Sequence, residues 1–140
     1  MQASPVVLSS AIVTILAIVV YFIMGFRVGQ MRERHGIKAP ATSGHPQFDR
    51  AFRVQMNTLE HLPVLLPLLW LTTFFFAPYP MIAPVLGVVW IIGRVLYMNT
   101  YMSDPDKRGP GFGISALAEV LLLLLALIGI VLAWTTVVAV

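Results

Sequence analysis

The chain has 140 residues, of which 59% are hydrophobic and only 11% are charged, with a formal net charge of +3. A soluble domain normally carries about 25% charged residues, so this composition excludes a water-soluble globular protein and predicts an integral membrane protein. There is no cysteine, which excludes disulfides, catalysis by a protein thiolate and cysteine-metal sites. Any thiol chemistry must use a thiol that a ligand supplies.

Four apolar stretches match the length of a membrane-spanning helix, which needs about 20 residues. They are Val6–Phe26, Leu62–Ala77 with a helix start near Phe48, Met81–Met102 interrupted only by Arg94, and Ile114–Val140 interrupted only by Glu119. The first stretch has no basic segment before it and is longer than the apolar core of a signal peptide, so we expect it to remain in the mature protein. The prediction is an all-α integral membrane protein, a single four-helix transmembrane bundle over residues 1–140.

The connections between these helices differ in composition. Gly36–Pro46 is polar and rich in proline and glycine, and we predict that it forms the only long loop. Ala77–Pro80 is short enough to require a tight turn between antiparallel helices. Ser103–Gly113 contains two prolines and three glycines, which predicts the end of the third helix and a loop before the fourth.

The basic residues predict the orientation in the membrane. All nine lysines and arginines lie in two stretches, one around the first loop and one around the end of the third helix. By the positive-inside rule, residues 27–53 and 103–113 are cytoplasmic and both termini are non-cytoplasmic. The net positive charge then describes a basic cytoplasmic rim and gives no support for nucleic-acid binding.

The second helix opens with polar residues on one face. Arg50, Arg53, Asn57, Glu60 and His61 fall within about 100° of one another on a helical wheel. Ionisable groups at membrane depth are costly and usually functional. An internal Arg–Glu pair that holds the bundle together is the structural alternative, but the surplus of arginine favours a site for an anionic ligand.

The third and fourth helices carry further polar groups. Arg94, Tyr97 and Tyr101 share one face of the third helix; tyrosines that only anchor the helix at the membrane interface are the alternative. Glu119 is predicted to pair with an arginine of a neighbouring helix. His61 has no second histidine or cysteine at ligand spacing, so no metal site is predicted.

The segment Phe48–Pro63, FDRAFRVQMNTLEHLP, resembles the helix-two signature of the MAPEG family, the membrane-associated proteins in eicosanoid and glutathione metabolism. It matches every fixed position of the pattern (D/E)-R-x-x-R-x-x-x-N-x-x-E-x-x-P. The chain length, the long first cytoplasmic loop and the tyrosines near the end of the third helix also agree. The resemblance implies a homotrimer that binds glutathione between adjacent subunits near the cytoplasmic side.

The resemblance also implies roles for individual residues. Arg108 would lie beside the thiol as the catalytic residue, with Lys107 as the alternative at this position. Glutathione would be held by Arg53, Asn57, Glu60 and His61 on helix two, by Tyr97 and Tyr101 on helix three, and by Arg32 and Gln55 from the neighbouring subunit. His61 stands where the leukotriene C synthases have tyrosine.

The activity that the resemblance implies is a membrane-bound glutathione transferase, with glutathione-dependent reduction of lipid hydroperoxides as a further activity. Glutathione is the co-substrate, and hydrophobic electrophiles reach it from the membrane lipid. Thr58 and Gly109 replace an aspartate and a serine of the prostaglandin E synthases, so prostaglandin isomerisation is not predicted. A non-catalytic lipid-binding member of the family is one alternative. A small four-helix multidrug exporter is another, although Val6–Phe26 lacks the carboxylate that such exporters place in helix one.

Overall fold

The computed structural model describes residues 4–138, and this part of the chain is helical apart from the predicted long loop, which spans 35–45, and two short connections. The long helices are α1, Pro5–Arg34; α2, Pro46–Phe75; α3, Ile82–Ser103; and α4, Gly109–Val138, preceded by a short 3-10 helix at Pro105–Arg108. Each of the four is long and apolar enough to cross a membrane. The predicted four-helix transmembrane fold is confirmed, and the predicted end of the fourth span at Val140 lies outside the described residues.

The helix boundaries follow from local chemistry. α1 begins with Pro5 in its first turn, where the missing N–H of proline costs nothing. It continues beyond the predicted apolar span to Arg34, because the polar residues after Phe26 include good helix formers. α2 begins after His45, whose Nδ1 accepts a hydrogen bond from the backbone N–H of Gln47 at 3.3 Å.

The connection between α3 and α4 differs from the prediction. α3 ends at Ser103 as expected, but the predicted loop is almost entirely helical. Pro105 begins the 3-10 helix and Pro110 lies in the first turn of α4, where neither proline has to donate a hydrogen bond. The Asp104 carboxylate caps this turn by accepting from the N–H of Asp106 at 3.1 Å. Arg108 therefore lies on an ordered turn.

The core of the bundle draws on all four helices, through residues such as Val13, Leu65, Trp90 and Leu122, each buried. On the outer faces, large aliphatic and aromatic side chains remain exposed along every helix. In a bilayer such side chains face lipid or other membrane helices. An exposed apolar surface of this size would make a soluble protein aggregate, whereas a protein inside a bilayer needs such a surface.

Glycines let α3 and α4 approach until their backbones touch. A methyl group added at Gly111 would lie 2.6 Å from the Cα atom of Tyr97, and one added at Gly93 would lie 2.8 Å from the backbone nitrogen of Ser115. Small residues allow such close contact between membrane helices. The contact sets Phe112 beside Tyr97, with 6.4 Å between the ring centroids.

We expect Gly111→Ala to destabilise the bundle by about 1–3 kcal/mol, because the added methyl group meets backbone that cannot rotate away. Thermal or detergent-induced unfolding, followed by circular dichroism, measures this effect. Gly113→Ala is the matched control, since nothing lies within 4 Å of a methyl group added there. The control should be neutral or slightly stabilising, and equal losses in both variants would contradict the packing argument.

Candidate functional site

A polar cleft of about 500 Å³ opens where the start of α2, the end of α3 and the start of α4 meet. Its lining consists of Arg53, Asn57, Tyr97, Tyr101, Arg108 and Phe112. All except Phe112 are residues that the sequence analysis selected. Other large grooves, such as the one between α1 and α3 around Val13 and Val85, are apolar.

The cleft is built from three pairs of residues, each pair four positions apart. Arg53 and Asn57 lie on α2, and Tyr97 and Tyr101 lie on α3. In the third pair, Arg108 ends the 3-10 helix and Phe112 lies in the first turn of α4. Residues at this spacing share a helix face, so each element presents two side chains to the same space. The rings of Tyr97 and Tyr101 lie 5.4 Å apart.

The charges in and beside the cleft are open to a ligand. The Arg53 guanidinium lies 3.8 Å from the Glu60 carboxylate, and these side chains are 59% and 53% exposed. A pair this exposed contributes little to stability, which disfavours the alternative of a brace within the bundle. Arg108 is also exposed, and within residues 4–138 its guanidinium makes only a long hydrogen bond, 3.4 Å, to the carbonyl oxygen of Pro105.

Arg94 lies behind the cleft. Its side chain is fully buried, and its Nη1 donates a hydrogen bond to Oδ1 of Asn57 at 2.8 Å. The guanidinium also lies 5.3 Å from the ring centroid of Tyr97 and 5.8 Å from that of Phe112. Helical periodicity correctly grouped Arg94 with the tyrosines on one face of α3. Periodicity does not show how deeply a side chain is buried, and Arg94 lies beneath the residues that line the cleft.

Glu119 does not pair with an arginine, so that prediction is wrong. Both of its carboxylate oxygens lie within 3.0 Å of Nδ1 of His61, and one also accepts from the indole N–H of Trp90 at 2.7 Å. The reason is that the imidazole of His61 on α2 and the indole of Trp90 on α3 both meet the carboxylate, whereas the hydrogen bond that the Arg94 guanidinium makes within residues 4–138 goes to Asn57. His61 is consequently turned toward α4, edge-on to Phe112, and the structure does not bring it to the cleft lining.

Other polar residues of the predicted set lie away from the cleft. Arg50 donates to the carbonyl oxygens of Met102 and Ser103 and ties the start of α2 to the end of α3. Arg32 lies 4.7 Å above the ring of Phe48, where α1 meets α2. Gln55 lies at the same interface, where its amide nitrogen would be 3.0 Å from a methyl group added at Gly25.

The structure distinguishes Arg108 from its alternative, Lys107. The Lys107 ammonium lies 3.5 Å from the Asp104 carboxylate and does not line the cleft. Phe112, which sequence reasoning missed, is four residues after Arg108 and would have been found had the helical start at Gly109 been predicted.

Comparison with known proteins gives a consistent result. The MAPEG family model matches residues 10–128. An uncharacterized protein of Synechocystis is 43% identical over 122 residues, covering 86% of each chain. Human microsomal glutathione S-transferase 2 is 36% identical over 120 residues, covering 86% of this chain and 80% of the relative. Bovine leukotriene C4 synthase is 31% identical over 120 residues, covering 86% and 79%.

Proposed function

Because this chain belongs to the MAPEG family, we propose that it is a membrane-bound glutathione transferase that activates the glutathione thiol in the cleft between α2, α3 and α4. The observation that carries the proposal is the convergence of Arg53, Tyr97 and Arg108 on one polar cleft toward one end of the bundle. The names of the similar microsomal glutathione S-transferase and leukotriene C4 synthase support the same class of reaction. Family membership also removes the multidrug exporter as an alternative.

The cleft offers groups that complement glutathione, which carries two carboxylates, an ammonium group and a thiol. An arginine binds a carboxylate through charge-assisted hydrogen bonds, and a carboxylate binds an ammonium group in the same way. We assign a glutathione carboxylate to Arg53 and the ammonium group to Glu60, which the structure leaves exposed beside each other.

We assign activation of the thiol to Arg108. The thiolate is the nucleophile, and a nearby cation favours it. Lowering a thiol pKa from about 8.5 toward 6.5 requires about 2.7 kcal/mol of differential stabilisation. The thiolate then forms a bond from sulfur to the electrophilic carbon, and the leaving group departs with the bonding electrons. A lipid hydroperoxide is a second substrate class. The thiolate attacks its terminal oxygen, and the lipid alkoxide leaves with the bonding electrons and is protonated to the alcohol. A second glutathione then converts the resulting sulfenic acid to glutathione disulfide and water.

We further propose that the protein works as a homotrimer with the cleft on the cytoplasmic side. Arg32 and Gln55, two of the predicted glutathione contacts, lie at the α1–α2 interface and do not line the cleft of their own chain. A neighbouring copy can supply them if it presents its α1–α2 face to the cleft. The orientation rests on the basic residues at the cleft end of the bundle.

Glutathione binding tests the site. Arg53→Ala should weaken binding by about 1.5–3 kcal/mol, the range for a hydrogen bond to a charged group, as measured by calorimetry in mild detergent. The fold should be unaffected, because the Arg53–Glu60 pair is exposed.

Arg34→Ala is the control, since it removes the same charge from an exposed position at the end of α1. Equal losses in the two variants would mean that only the general positive potential matters. A wild-type protein that does not bind glutathione would refute the proposed function.

A further inference from the structure

The buried guanidinium of Arg94 has one hydrogen-bond acceptor in the described chain. Its Nη1 donates to Oδ1 of Asn57 at 2.8 Å, whereas Nε and Nη2 are buried and make no hydrogen bond within residues 4–138. A buried charged donor is costly when it is left unsatisfied. Loss of the hydrogen bond to Asn57 would leave a third nitrogen of the guanidinium unsatisfied, so we expect this bond to persist.

This bond determines which way the Asn57 amide faces. Arginine has only donors, so the atom of Asn57 that meets it must be the carbonyl oxygen. The NH2 group of Asn57 then points the other way and donates to the exposed Glu60 carboxylate, beside the cleft, at 3.3 Å. The same nitrogen of Asn57 carries a second N–H. Asn57 is one of the residues that line the cleft, together with Arg53 and Arg108.

We propose that Arg94 is a positioning residue for ligand binding. By taking the carbonyl oxygen of Asn57, it makes Asn57 present only a hydrogen-bond donor to the cleft, and through Asn57 it also orients Glu60. The ligand group placed beside Asn57 must then be an acceptor, a carboxylate or a peptide carbonyl oxygen. The ligand assignment rests on the proposed function, whereas the orientation of Asn57 does not.

The surroundings of Arg94 keep the guanidinium in place. It lies 5.4 Å from the ring centroid of Trp90, one turn earlier on α3, and it also faces the rings of Tyr97 and Phe112. The indole of Trp90 is in turn held by the Glu119 carboxylate at 2.7 Å. A flat cation between aromatic rings has a fixed orientation, so it can impose that orientation on Asn57.

The first arm of the test measures the mobility of the Asn57 amide. The chain contains only two asparagines, Asn57 and the exposed Asn99, so labelling asparagine with ¹⁵N gives two side-chain amide signals. Relaxation measurements should give a clearly higher order parameter for the side-chain amide of Asn57 than for that of Asn99. In Arg94→Met the Asn57 value should fall to that of Asn99, while Arg94→Lys, which keeps a charged donor, should retain part of the difference.

The second arm measures glutathione affinity. Asn57→Asp keeps an acceptor for Arg94 but has no donor for the ligand, so the Kd for glutathione should rise at least about tenfold. Arg94→Met should raise Kd by about tenfold, with a much smaller effect on kcat. The same substitution in an Asn57→Ala background should have almost no further effect, because Arg94 acts through Asn57.

Several outcomes would overturn the proposal. One is a wild-type Asn57 amide as mobile as that of Asn99, and another is a folded Arg94→Met protein in which Asn57 stays rigid. A third is unchanged affinity in Asn57→Asp. If wild-type protein does not bind glutathione, the proposed function fails, and the mobility measurements still decide whether Arg94 positions Asn57.

Discussion

Arg108→Ala is expected to lower the rate of glutathione conjugation by about 10²-fold, while glutathione still binds within about tenfold of the wild-type affinity. The reason is that an interaction that strengthens as negative charge develops on sulfur lowers the barrier more than it improves ground-state binding. Loss of about 2.7 kcal/mol corresponds to that change in rate. The measurements are thiolate absorbance near neutral pH on adding glutathione, and turnover of a generic aryl halide.

Lys107→Ala is the matched control for Arg108→Ala. It removes the same charge from the same 3-10 turn, but Lys107 is paired with Asp104 and does not line the cleft. We expect this variant to keep the thiolate signal and most of the turnover. If only Lys107→Ala loses the thiolate signal, Lys107 is the residue that stabilises the thiolate, and our assignment to Arg108 is wrong. If neither variant affects it, a hydroxyl of Tyr97 or Tyr101 is the stabilising group and the mechanism fails.

Glu119→Ala is expected to destabilise the bundle by about 2–6 kcal/mol, because two donors inside the bundle are left without an acceptor at a cost of about 1–3 kcal/mol each. The indole N–H of Trp90, which is fully buried, and Nδ1 of His61, whose side chain is 17% exposed, both lose their acceptor. Unfolding of the purified protein by heat or by a denaturing detergent measures the loss.

Glu60→Ala is the control for stability, because Glu60 is 53% exposed and its removal should cost less than about 1 kcal/mol. Glu119→Gln, which keeps an acceptor and the side-chain size, should lie between the two. Equal stability of Glu119→Ala and Glu60→Ala would show that the buried cluster does not hold the helices together.

The fold could be predicted from the sequence because a bilayer imposes a length on every helix that crosses it. The resemblance to the MAPEG family, identified from the Phe48–Pro63 segment, is confirmed by the match over residues 10–128. The start of α4 could not be predicted from composition. The prolines and glycines of Ser103–Gly113 predicted a loop, because both residue types disfavour the interior of a helix. Pro110 instead lies in the first turn of α4, where proline is well tolerated.

The lining of the cleft was more predictable than the polar residues behind it. Arg53, Asn57 and the tyrosines share helix faces, which spacing reveals. Spacing does not give depth or rotamer, so it could not place Arg94 beneath Asn57 or direct His61 to Glu119. These contacts join α2 to α3 and to α4, so they depend on how far apart those helices lie, which the spacing of residues along one helix does not give.

α1, described from Pro5 to Arg34, contributes no residue to the cleft lining, and Arg32 stacks on Phe48 at a different face. If a neighbouring copy supplies Arg32, as we propose, each complete site belongs jointly to two copies. A copy without Arg108 and a copy without Arg32 are then each inactive alone, yet random mixing of the two in a symmetric ring restores about a quarter of the sites. In genetic terms, two inactive alleles of this one gene would complement each other.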